Sequence, residues 1–169
     1  MKASRHLAVL LFALAIGVGV YLSLDRPGPP QPLPMVTYTL LDGQTSSTAQ
    51  WQGRVTLVNF WATSCAVCLK EMPKIIDTHE RFKSRGFDTL AVAMSYDPPA
   101  AVVDYAQSRR LPFGVAIDNT GAIAKGFGGI KGTPTTLLVD RQGRIVRRFV
   151  GEPDFAALNG LIEQLLGEG

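Results

Sequence analysis

Seven residues, Val55 to Trp61 (VTLVNFW), form a nearly continuous apolar run, and after three intervening residues Cys65-Ala66-Val67-Cys68 opens a helical pattern. A run of that length without polar alternation fits a strand buried on both faces, which occurs where helices cover a sheet. From Ser64 to Arg85 the residues Leu69, Met72, Ile75, Ile76, His79 and Phe82 recur at helical spacing. The chain is therefore expected to be α/β, with two cysteines held at a strand-to-helix turn.

The rest of the chain continues the alternation. Met35 to Gly43 reads as a strand and turn, which with the polar stretch ending at Trp51 makes an N-terminal hairpin. Phe87 to Ser95 reads as a strand, Pro99 to Arg109 as a helix, Phe113 to Asp118 as a strand and Gly121 to Phe127 as a short helix. Thr135 to Asp140 and Ile145 to Val150 flank the turn Arg141-Gln142-Gly143, so they should pair antiparallel. Asp154 to Leu166 closes the chain as an amphipathic helix.

These are the only cysteines, and they stand three positions apart, too close for the framework of a small secreted fold, whose bridges close long loops. At a helix N-terminus, backbone N–H groups and the helix dipole favour a thiolate, which assigns Cys65 as the attacking sulfur. Cys68, one turn deeper, is placed to resolve a mixed disulfide. Glu71 lies a further turn on and on the same face, where a carboxylate could take the Cys68 proton. No cofactor is needed beyond the redox-active cysteine pair.

The N-terminus sets the compartment. Leu7 to Leu24 carries no charge and is about long enough to cross a hydrocarbon core. Lys2 and Arg5 precede it, while Asp25 and Arg26 cancel behind it, so the positive-inside rule exports everything beyond. A small-x-small cleavage site is poorly formed, since Ala13-Leu14-Ala15 comes too early, and residues 1–24 read as an uncleaved anchor. Residues 25–34, with five prolines in ten positions, read as an extended spacer, and 35–169 as the globular domain. The net charge of +3 is small and scattered, which argues against nucleic acid.

The stretch VNFWATSCAVCLKEMP resembles the active-site segment of the thioredoxin superfamily, in particular its membrane-anchored TlpA/ResA-like thiol-disulfide oxidoreductases of the periplasm. The resemblance runs from about Met35 to the C-terminus and rests on Trp61 to Cys68, on Pro73, and on GxxGTPTT at Gly129 to Thr136. It implies a thioredoxin-like fold with a mixed central sheet, the N-terminal β-hairpin, and a central strand-helix insertion around Pro98 to Asp118. It further implies that Pro134 is cis, that Thr133 and Pro134 bind the backbone of an extended substrate, and that Trp61 and Pro73 are structural at the site. Glu71 matches the glutamate that tunes thiol acidity in the ResA-like members.

The same resemblance implies protein disulfide or dithiol substrates, such as apocytochrome c or copper-site proteins. It favours the reducing direction and a membrane electron donor of the DsbD or CcdA kind. Three departures from thioredoxin itself stand out. Asn59 replaces a buried aspartate, Ser64 a tryptophan, and Ala66-Val67 lacks the usual proline. Asn59 cannot titrate, so the proton burden passes to Glu71.

Three alternatives bear on the same cysteines. A peroxiredoxin-like thiol peroxidase needs proline and threonine where Val58 and Ala62 stand. A Sco-like copper metallochaperone needs a downstream histidine as a third ligand. None follows His79, itself eleven positions beyond Cys68 and read as a helix-surface residue. Covalent haem attachment needs histidine where Leu69 stands.

Overall fold

Strand β4 (Val55–Trp61) organises everything around it. The computed structural model describes residues 29–168, and in them β4 lies inside a six-stranded sheet. β5 (Phe87–Ala93) pairs with it in parallel on one side, and β7 (Thr135–Val139) antiparallel on the other. β6 (Gly114–Ile117) extends the sheet in parallel beyond β5, and β8 (Arg144–Val150) extends it antiparallel beyond β7. The sheet is mixed, as the resemblance implied.

Every residue of β4 is buried, and alternation divides them between two cores. Val55, Leu57 and Trp61 pack with Met72, Ile75 and Phe82 of α1 (Ala66–Phe82), Val102 of α2 (Pro99–Ser108), and Leu158 and Ile162 of α4 (Phe155–Gly167). Val58 and Phe60 pack on the opposite face with Val36, Tyr38, Trp51 and Phe127. That second core is covered by the hairpin of β2 (Thr37–Thr39) and β3 (Thr45–Ser47), a 3-10 turn at Thr48–Trp51, and the short α3 (Ala122–Gly126). Gly126 permits this approach, because a Cβ there would meet Val36 Cγ2 at 2.6 Å.

Several boundaries differ from expectation for identifiable reasons. α1 starts at Ala66, because Ser64 lies in the turn and Cys65 is itself the N-cap; it ends at Phe82, where the last residues tighten into a 3-10 turn at Lys83–Arg85. The proline-rich stretch is not all spacer. Gln31–Pro32 forms β1 and pairs antiparallel with Ile145 and Arg144 at the edge of the sheet, a place where proline's missing N–H is tolerated. The expected strand-helix insertion is present as α2 and the edge strand β6. Leu7 to Leu24 lies outside the described residues; among those described, no helix is long and apolar enough to cross a membrane.

Candidate active site

Cys65 and Cys68 are joined in a disulfide with 5.2 Å between their Cα atoms. The geometry follows from the turn that ends β4. Cys65 caps α1 with extended backbone, and its Sγ accepts the Cys68 N–H at 3.2 Å. This is the position at which a reduced Cys65 would share its negative charge with the helix N-terminus. Cys65 is half-buried, whereas Cys68 is sealed within the core, so of the two residues only the first is open to solvent.

Glu71 is fully buried, although its neighbours Lys70 and Lys74 are exposed. Those lysines instead reach Glu152 in the loop after β8, at 3.1 and 2.6 Å. Asn59 stands on the same face of β4 as Leu57 and Trp61, beneath α1. Its Nδ2 donates to Glu71 Oε1 at 2.9 Å and to Thr136 Oγ1 at 3.0 Å. Both donor hydrogens of that amide are thereby used.

Asn59 Oδ1 and Glu71 Oε2 have no hydrogen-bond partner among the described residues. Two buried acceptors without a donor are costly, and a proton on Glu71 supplies one. Burial pushes the Glu71 pKa up to about 7; the Asn59 hydrogen bond and Lys74 pull it down, and Glu152 adds to the rise. One helical turn from Cys68, Glu71 is thus a carboxyl group able to hold or release a proton near neutral pH.

Trp61 is fully buried, with its ring 5.1 Å from that of Tyr105. Pro73 lies inside α1 on its exposed side. The Thr133-Pro134 peptide is cis, as the resemblance implied. Pro134 precedes β7, whose Thr135 pairs with Phe60, so the proline sits at the end of β4 that leads to Cys65; its carbonyl accepts the Gly151 N–H at 2.9 Å.

His79 is corrected. It is buried, its Nδ1 lies 3.2 Å from Thr89 Oγ1, its ring stacks edge-on with Phe113, and burial lowers its pKa. Among the described residues no cluster of three or more His, Cys, Asp or Glu side chains could hold a metal. Sequence reasoning missed Asp97, whose buried carboxylate takes the backbone N–H and the hydroxyl of Thr63, both at 2.6 Å. No motif marks it; only the parallel pairing of β4 with β5 brings residues 34 apart together.

A helix-capping cysteine bonded to a buried partner three residues on, above a buried carboxyl group, defines a protein of dithiol-disulfide chemistry on a thioredoxin-like fold. The Redoxin family matches residues 29–162. Over 119 residues the chain is 32% identical to the thiol-disulfide oxidoreductase ResA of Bacillus thuringiensis subsp. konkukian, covering 70% of this chain and 68% of that relative. The solution structure of a thioredoxin-assigned protein from Neisseria meningitidis is 39% identical with a TM-score of 0.77, over 83% of this chain and 93% of that one. A thiol:disulfide interchange protein of the thioredoxin family from Chlorobium tepidum TLS is 27% identical with a TM-score of 0.74, over 84% of this chain and all of that one. The chain belongs to the Redoxin family and is a ResA-like thiol-disulfide oxidoreductase.

Proposed function

We propose that this oxidoreductase reduces disulfides of proteins outside the cytoplasm, tethered to the membrane through Leu7 to Leu24 and re-reduced by a membrane donor of the DsbD or CcdA kind. The buried Glu71 carries the choice of direction. A strong oxidant owes its potential to a stabilised thiolate in its reduced form. A carboxylate beneath Cys68 repels thiolate, favours the disulfide form of the protein, and so favours giving electrons away.

In the forward step the Cys65 thiolate attacks a substrate sulfur, the substrate S–S bond breaks, and one substrate thiolate leaves and takes a proton. Cys68 then passes its proton to Glu71 and attacks Cys65 Sγ, releasing the second substrate sulfur as a thiolate that is protonated in turn. Two electrons pass to the substrate, and the protein is left with the Cys65–Cys68 disulfide seen here. Thr133 and Pro134 would align the substrate backbone beside Cys65. Apocytochrome c and copper-site proteins are the substrates that the resemblance offers.

The reduction potential of the Cys65/Cys68 couple tests the direction. A value near roughly −270 mV, as in thioredoxin, supports a reductase, and one near roughly −120 mV would make it an oxidant. N-terminal sequencing of the protein recovered from membranes tests the anchor; a mature chain that begins after Ser23 would show cleavage instead.

A further inference from the structure

The loop between β5 and α2 is used by none of the steps above, yet it is bonded to both segments that flank the disulfide. Asp97 holds Thr63, two residues before Cys65, through two charge-assisted hydrogen bonds. Its neighbour Tyr96 turns the other way, and its hydroxyl lies 3.1 Å from Thr133 Oγ1, beside the cis proline. Asp97 is buried and fixed, so Tyr96 is carried on a rigid base. Its ring nevertheless stays 60% exposed.

Exposed apolar side chains gather at this end of the sheet. Val67, between the two cysteines, is 45% exposed, and Val150, opposite Thr135 where β8 ends, is 79% exposed. With Tyr96 these are three of the five large hydrophobics left exposed among the described residues. On the helix behind Val67, Lys70 and Lys74 are paired with Glu152. Such a rim gains by covering apolar side chains, which an extended peptide carries and glutathione does not.

We infer that Tyr96 is a specificity-determining residue of the exchange site. Its ring takes an apolar side chain next to the cysteine of an extended protein substrate, and its hydroxyl orients Thr133 toward that same segment. Tyrosine suits the task, since its large ring gives up only two side-chain torsions on binding. The inference rests on the reading of Cys65 and Cys68 as an exchange pair.

The test uses the full-length chain, reduced beforehand and mixed in single turnovers with either of two disulfides: a synthetic peptide with leucine and valine flanking its cystine, or oxidised glutathione. Tyr96→Ala should raise the half-saturating peptide concentration, with the effect there and not in the limiting rate, and lower the preference for peptide over glutathione about tenfold. Tyr96→Phe keeps the ring and should recover most of that preference. A Tyr96→Ala preference equal to wild type overturns the inference, as does an equal loss with both disulfides. A wild-type chain inert toward both disulfides defeats the underlying exchange reading, and the inference with it.

Discussion

On one face of β4, Val58 and Phe60 pack into an apolar cluster, and Phe60 packs edge-on against Phe127 at 5.5 Å. On the other face, Asn59 sits between Leu57 and Trp61 and holds a buried glutamate against the helix that carries the cysteines. Both faces exclude water, and the first is closed by the hairpin and α3. The second is closed by the helices and encloses acceptors that lack a donor unless a proton is present. One strand thus packs core residues on both faces and, on one of them, holds a buried carboxyl group through Asn59.

Substitutions on the two faces should separate these roles. The largest loss of stability is expected for Phe60→Ala. Removing a fully buried aromatic ring should cost about 3–5 kcal/mol in denaturant unfolding. The pH profile of exchange by the folded protein should keep its midpoint, and a moved midpoint would show that the faces are coupled.

Next comes Glu71→Gln, through the pH dependence of stability in the oxidised protein. With a native pKa of about 7 against 4.5 unfolded, Glu71 keeps its proton in the native state while the unfolded chain loses it. Stability should therefore fall as pH rises between those values, by about 3 kcal/mol for this group, and level off above them. Glutamine does not titrate, so that slope should vanish from the unfolding curves; its persistence would assign it to other groups.

Asn59→Ala should cost less, about 1–3 kcal/mol, because it strips two acceptors of their donor. It also removes the hydrogen bond that favours ionised Glu71, so the midpoint of the pH–rate profile should move upward. A downward move would mean that Asn59 acts on the thiols by another route. The smallest effect belongs to Glu152→Gln, which takes away a half-buried negative charge that raises the Glu71 pKa and should shift the same midpoint slightly downward.

The sequence was informative where local pattern and burial agree. Val55 to Trp61 reads as a strand buried on both faces because it is one, and the cysteine spacing places the pair at the head of α1. Glu71 was legible as a same-face neighbour of Cys68 by helical spacing, but its hydrogen bond to Asn59, which also reaches Thr136 on a separate strand, depends on tertiary packing that spacing does not show. His79 was misread although it falls in the apolar series of α1; a histidine at such a position takes its environment from the strand beneath, here Thr89. Gln31-Pro32 carries no strand pattern, and its pairing is dictated by the free edge of β8. Tyr96 and Asp97 stand in a loop with no period to follow.

The most direct test of the account is the pH dependence of disulfide exchange in wild type and Glu71→Gln, measured with thiolate absorbance at 240 nm. The variant should show a lower apparent pKa for thiolate formation, because a repelling carboxylate is gone, and slower resolution of the mixed disulfide, because the group that takes the Cys68 proton is gone. Superimposable titration curves and rate profiles would contradict the claim that the buried carboxyl group moves the proton.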